Sequence, residues 1–246
     1  MRIAGIDIGS RTVKLAVLED GQLILSRNTM TSYNPLATAQ ELMGDAVFDV
    51  ITATGYGRHL IKGHLDCPVI SEITAFARGA RFFSSDCRSI LDIGGQDTKA
   101  ISLDQEGNLR KFEMNDKCAA GTGRFLEVMA TALGFTIEEF SKAGLSAGKA
   151  VKINSTCTVF AESEVVSLTA QGAARDEVAL GIHKAIVSRS IGLLKKVAVP
   201  GEIFFAGGVA YNDCVRVLLE KEMGQPVFVP SDPQIVGAVG AALSSL

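Results

Sequence analysis

The chain has 246 residues, of which 47% are hydrophobic and 21% charged, with a formal charge of −3. That length suits one large domain or two lobes of roughly 100–130 residues each, and the balance excludes both a disordered chain and a disulfide-stapled miniprotein. Lysine and arginine are scattered, which leaves no electrostatic footprint for nucleic acid, while the longest weakly polar stretch, residues 235–246, falls far short of the ~18 apolar residues of a membrane span. The opening MRIAGIDIGS lacks a cationic leader, so the expected location is the cytoplasm, away from any membrane.

In chain order, residues 4–21, AGIDIGSRTVKLAVLEDG, predict a β-hairpin: an apolar strand, a turn at Gly9-Ser10, then an alternating strand. Residues 47–53 read as a strand, followed by the turn TGYGR at 54–58, and residues 72–83 as a helix linking two lobes. The first pattern then returns at residues 90–107, ILDIGGQDTKAISLDQEG. The offset of 85 pairs Asp7 with Asp92, Gly9 with Gly94 and Lys14 with Lys99. Such a repeat implies two similar lobes, each opened by its own hairpin, with the turns facing one another across a cleft. Residues 123–133 predict a helix with Phe125, Leu126, Met129 and Leu133 on one face, closed by Gly134, and residues 160–170 another helix. Asp176 opens the longest helix, running to about Lys196 with Val178, Ile182, Ile186 and Leu193 at helical spacing. Residues 203–205 form a buried strand ending in Gly207-Gly208, and Asp232-Pro233 signals the start of a C-terminal helix through Leu246. The alternation is that of an α/β protein.

Three turns, Gly9-Ser10, Gly94-Gly95 and Gly207-Gly208, each follow an apolar strand. Glycine lets the backbone approach a ligand closely and turns N–H groups outward, as cradling phosphate requires. One such turn alone is commonly a tight hairpin; its recurrence with Asp7 and Asp92 at matched positions points to nucleotide, with two carboxylates to hold hydrated Mg2+. Neither a GxxxxGK[ST] loop nor a GxGxxG fingerprint is present. The five cysteines, Cys67, Cys87, Cys118, Cys157 and Cys214, are odd in number and form no CxxC pair, which argues for reduced thiols. The sequon Asn154-Ser155-Thr156 is accordingly a chance match.

IDIGSRTVK, LDIGGQDTK and FFAGGVAYN resemble, in the expected order, the first phosphate, second phosphate and adenosine motifs of the superfamily of acetate and sugar kinases, Hsp70 and actin. The resemblance implies an α/β fold of two RNase-H-like lobes with ATP in the interlobe cleft: residues 1–86 plus 232–246, and residues 87–231. Ser10, Thr12 and Lys14 would meet the phosphates from one lobe, and Gly94, Gly95, Gln96 and Asp97 from the other. Gly207 and Gly208 would pass beneath the adenosine. Asp7 and Asp92 fall to Mg2+, and Gln96 or Asp97 to the attacking water.

NDKCAAGTGRFLE, with Cys118, and STCTVFAESEV, with Cys157, each place a thiol ahead of a helix, whose free N–H groups and dipole favour a thiolate. They resemble the cysteine motifs of the 2-hydroxyacyl-CoA dehydratase activators, the BadF/BadG/HgdC family of ATP-dependent reductases. That resemblance implies a homodimer of anaerobic metabolism in which Cys118 and Cys157 of both copies hold one 4Fe-4S cluster. A cubane takes four thiolates and one chain offers two in suitable settings, so a two-fold axis would supply the rest. ATP hydrolysis would drive one electron from ferredoxin or flavodoxin to an iron–sulfur acceptor: a 2-hydroxyacyl-CoA dehydratase, a benzoyl-CoA reductase or a double-cubane cluster protein. Phe76 stands where this family leads one to expect histidine. Cys67, Cys87 and Cys214 match no ligand motif and read as structural thiols. The alternative is a sugar or small-molecule kinase of the same superfamily, with Asp97 as its catalytic aspartate; an ATP-switched scaffold would need a substrate-binding domain.

Overall fold

A computed structural model describes residues 1–155 and 157–245; Thr156 of the sequon and Leu246, the expected end of the last helix, lie outside the described residues. The strands are β1 (Arg2–Ile8), β2 (Thr12–Glu19), β3 (Gln22–Met30), β4 (Val50–Thr54), β5 (Ser89–Ile93), β6 (Thr98–Leu103), β7 (Leu109–Asn115), β8 (Ile203–Ala206) and β9 (Val227–Phe228). The α-helices are α1 (Pro35–Met43), α2 (Arg58–Leu65), α3 (Glu72–Phe83), α4 (Gly123–Ala132), α5 (Ile137–Ser146), α6 (Thr158–Ala170), α7 (Arg175–Val197), α8 (Asp213–Met223) and α9 (Val236–Ala242). Two compact units result, one of residues 1–90, 101–112 and 230 onward, the other of residues 91–100 and 113–229.

In the first unit the sheet runs β3-β2-β1-β4. β1 pairs antiparallel with β2, setting Asp7 opposite Lys14, and parallel with β4, setting Asp7 opposite Thr54. Side chains alternate between two apolar layers. Ala4, Ile6, Ile8, Val13, Leu15 and Val17 join one cluster with Ala39 and Ile61, while Ile3, Ala16 and Leu18 join another with Ala238 and Val239 of α9. Burial on both faces explains why β1 reads as an almost unbroken apolar run. α3 and α9 also pack on each other in this unit, backbone to backbone: a Cβ on Gly240 would overlap the carbonyl oxygen of Ala75.

The second sheet runs β7-β6-β5-β8-β9, with β8 and β9 parallel. The core of the second unit gathers Leu91 and Ile93 of β5, Phe125 and Met129 of α4, Phe140 of α5, Ile182 and Ile186 of α7, and Phe205 of β8.

The predicted helix at 72–83 is α3, capped by the Ser71 hydroxyl, which accepts from the Thr74 N–H. The last helix starts later than Asp232-Pro233 suggests. The Asp232 carboxylate accepts from the Gln234 N–H at 3.1 Å, closing a local turn instead of capping a helix, and α9 begins at Val236. Four helices of 8 to 11 residues, α1, α2, α5 and α8, go beyond the predicted elements; Asn34, Thr136 and Asn212 cap three of them. No helix among the described residues is long and apolar enough to cross a membrane.

Candidate functional site

The repeat seen in the sequence folds into two turns built alike. Where β1 passes to β2, the Gly9 N–H donates to the Thr12 carbonyl at 3.0 Å; where β5 passes to β6, the Gly94 N–H donates to the Asp97 carbonyl, again at 3.0 Å. Each turn leaves its polar residues accessible: Ser10 and Gln96 are exposed, and Thr12, Gly94, Gly95 and Asp97 are half-buried. Beneath each turn lies a buried ion pair set by strand position. Lys14 Nζ meets Asp7 Oδ2 at 3.1 Å, and Lys99 Nζ meets Asp92 Oδ2 at 3.0 Å and Asp97 Oδ2 at 2.6 Å. Asp97, a candidate for the attacking water, is thus held by Lys99, whereas Gln96 is exposed.

The likeness reaches further than the sequence repeat. Gly55, after β4, has φ +90° and lies so close to the Asp7 carboxylate and the Ile8 carbonyl that no side chain fits. Gly207, after β8, has φ +85° and lies in the same way against the Asp92 carboxylate and the Ile93 carbonyl. Each position demands a residue free of Cβ in a left-handed backbone. TGYGR at 54–58 is therefore the structural counterpart of AGGVAY at 206–211. Aligned on Gly55 and Gly207, the two share no other residue, but both follow a strand with a glycine. Gly208 is exposed and begins a 3-10 turn to Tyr211, after which Asn212 caps α8.

Cys118 and Cys157 are exposed and line one cavity of about 390 Å³ together with Thr98, Asn115, Arg189 and Ser190. The Cys118 loop hangs directly from the second turn. Gly123 N–H donates to the Gly94 carbonyl at 2.8 Å, Arg124 N–H to the Gly95 carbonyl at 3.0 Å, and the Thr98 hydroxyl to the Gly121 carbonyl at 2.7 Å. Asn115 Nδ2 donates to the Cys118 carbonyl at 2.9 Å. Cys157 is the N-cap residue of α6. The segment before it is tied down by Glu164, whose carboxylate accepts from the Asn154 and Ser155 N–H groups at 2.9 and 2.8 Å. Burial would raise this carboxyl, but the hydrogen bonds outweigh it and hold the group at about 2.

Cys67, Cys87 and Cys214 are buried, with burial pushing the Cys214 thiol up to about 12 and Cys67 upward as well. Phe76 is 6% exposed and packs in the first unit beside Gly237, which also borders the Asp7 carboxylate. An apolar ring thus fills the place where histidine was expected.

The donor set suits an iron–sulfur group only by halves. Two soft thiol ligands share a cavity, and no group of three His, Cys, Asp or Glu residues among the described ones could complete a metal site within the chain. A second copy would bring the other two thiols. Asp7 and Asp92 each carry a lysine, so Mg2+ would meet them through its waters, in keeping with its reluctance to dehydrate.

The sequence profile of the BadF/BadG/BcrA/BcrD ATPase family matches residues 4–245. The chain belongs to that family. It is 39% identical over 253 residues to the 2-hydroxyisocaproyl-CoA dehydratase activator of Clostridioides difficile, covering 99% of this chain and 94% of that one. The crystal structure of component A of the (R)-2-hydroxyglutaryl-CoA dehydratase of Acidaminococcus fermentans superposes with a TM-score of 0.92 at 38% identity, covering 99% and 97% of the two chains. A structure of the Clostridium difficile activator with bound ADPNP gives 0.90 at 37% identity, covering 99% and 94%. The fold of this ATPase-family chain is the mixed α/β one of actin- and Hsp70-like ATPases.

Proposed function

We propose that this chain is an ATP-hydrolysing activator that passes single electrons at low potential to an iron–sulfur partner enzyme. The carrying observation is the pair of backbone hydrogen bonds from Gly123 and Arg124 to Gly94 and Gly95, because it makes the Cys118 loop and the second phosphate turn one piece. Ser10, Thr12 and Lys14 of the first turn, and Gly94, Gly95 and Gln96 of the second, hold the phosphates of ATP, with Gly207 and Gly208 under the adenosine. Hydrated Mg2+ meets Asp7 and Asp92 through its waters, each carboxylate being paired with a lysine, Lys14 and Lys99. Gln96, exposed and uncharged, orients the attacking water better than Asp97, whose carboxylate is engaged by Lys99. Hydrolysis changes what the second turn contacts, and the turn moves the thiol loop with it.

Cys118 and Cys157 of two copies hold one 4Fe-4S cluster, which when bound supplies one-electron transfer. Val159 and Phe160, 67% and 68% exposed at the start of α6, offer apolar surface beside Cys157 for the second copy. Ferredoxin or flavodoxin would be the donor in the cytoplasm, and a 2-hydroxyacyl-CoA dehydratase, a benzoyl-CoA reductase or a double-cubane protein the acceptor. The dehydratase reading takes its support from relatives that are activators of 2-hydroxyisocaproyl-CoA, (R)-2-hydroxyglutaryl-CoA and lactoyl-CoA dehydratases.

Anaerobic purification tests the proposal. A brown protein with four irons per dimer is expected, with Cys118→Ala or Cys157→Ala losing the cluster and Cys67→Ala, Cys87→Ala and Cys214→Ala retaining it. Four irons per dimer in Cys118→Ala would overturn the bridging arrangement, and a colourless protein that phosphorylates a metabolite would make it a kinase.

A further inference from the structure

His183 lies on α7, fully buried, in the middle of the second unit. Its Nδ1 is 2.7 Å from the Ala179 carbonyl, which can only accept, so Nδ1 carries the proton. In the neutral ring Nε2 is then an acceptor, and it takes a hydrogen bond from Asn212 Nδ2 at 3.1 Å. The other end of that amide is also fixed: Asn212 Oδ1 accepts from the Val215 N–H at 3.0 Å and so caps α8. Every polar atom of the pair has one defined partner, and their directions admit one tautomer and one amide orientation. Burial holds the imidazole down to about 4, keeping it neutral at physiological pH.

Apolar packing surrounds the pair. The Phe140 ring stacks 4.4 Å from the imidazole, and a Cβ on Gly144 would press on both His183 and Cys214. Packing of this kind tolerates a small slide or rotation of α7, because dispersion has little directional preference. The hydrogen bond does not.

The two ends of this link are unlike. Asn212 closes the short turn that starts at Gly208, and its own N–H donates to the Val209 carbonyl at 2.9 Å. Seven residues beyond His183, two turns of helix and hence on the same face, stands Ser190, which with Arg189 lines the cavity of Cys118 and Cys157. One rigid helix of 23 residues spans both.

We propose that His183 is a positioning residue that, through Asn212, locks the turn after Gly207-Gly208 to α7 and so carries nucleotide-dependent movement of that turn to the wall of the thiol cavity. The inference rests on the reading that this turn meets the adenosine. It adds a second route to the one through Gly94 and Gly95, along a side-chain bond instead of the backbone.

Asn212→Ser keeps a hydroxyl oxygen to cap α8 but is too short to reach Nε2. His183→Phe keeps the ring and its stacking on Phe140 but removes both nitrogens. His183→Gln offers an amide oxygen near the place of Nε2. Two quantities are read on each full-length chain, freed of iron and handled without oxygen: the Kd for ADP and for a non-hydrolysable ATP analogue, and the alkylation rates of Cys118 and Cys157 by iodoacetamide with each nucleotide. In the wild type the two nucleotides should give rates differing about fivefold or more, the low end of ordinary coupling between sites. Asn212→Ser and His183→Phe should still bind both nucleotides while that ratio falls below about twofold, and His183→Gln should restore it. A wild-type ratio in either of the first two variants overturns the inference, as does a nucleotide-binding wild type whose thiols do not respond. Failure of the wild type to bind nucleotide at all overturns the inference together with the proposed function, and the Kd measurement identifies that case.

Discussion

Lys99 sits between two carboxylates with 3% of its side chain exposed, the most enclosed cation of the two ion pairs. Its loss would take this cation from buried Asp92 and from Asp97 together, so Lys99→Met should destabilise the fold by about 3–5 kcal/mol, read as a lowered urea midpoint. Lys14→Met, which leaves one carboxylate, should cost less. His183 gives the chain a pH dependence of known sign. The folded state holds this ring near 4, against 6.5 for the free side chain, so the unfolded chain binds the extra proton. The contribution is complete above about pH 6.5 and is lost as pH falls from there toward 4, amounting to about 3 kcal/mol. The urea midpoint of His183→Phe should therefore fall less over that range than the wild type's, while identical slopes would show the ring protonated in the fold. Asp7, Asp92, Lys14 and Lys99 could be picked out from the repeat because strand register carries their pairing. The bonds of Asp97 to Lys99 and of His183 to Asn212 could not: one depends on the bend of a turn, and the other joins residues 29 positions apart on different helices.

Among the elements, α3 and α9 meet with no side chain between them at Gly240. Gly240→Ala would set a methyl group into the Ala75 carbonyl, which α3 cannot withdraw without parting from α9. A loss of at least about 3 kcal/mol, seen as a lowered thermal midpoint, is the expected result, and an unchanged midpoint would mean that the helices stand further apart. Sequence was a good guide to α3, whose Ser71 cap and apolar spacing agree. It misled at α9, because Asp232 and Pro233 form as good a cap signal as any, yet the carboxylate spends itself on the Gln234 N–H one turn early. α5 carries a capping box between Thr136 and Glu139 that marks its start as plainly, but its ten residues lie in a stretch with no strand pattern around them to suggest a layer.

For the whole molecule, the proposed cluster, held half by each of two copies, would make iron part of the assembly. Removing it with a chelator under anaerobic conditions should turn a dimer into monomers at micromolar concentration, followed by sedimentation, and readdition of iron and sulfide should reverse the change. A dimer that survives chelation would place its main contacts away from the thiols. The matched pairs Asp7 with Gly55 and Asp92 with Gly207 also bear on how such a chain came about. From Asp7 to Gly55 is 48 positions and from Asp92 to Gly207 is 115, so the second copy is longer by 67. Where the first copy has one helix, α1, between its third and fourth strands, the second has four, α4 to α7, and both exposed cysteines precede members of that group. Descent of the two halves from one short ancestor would make the matched turns common inheritance and the thiols an acquisition of the half that grew. Under the proposed function, the electron chemistry would be the younger layer, added to an older nucleotide-binding frame.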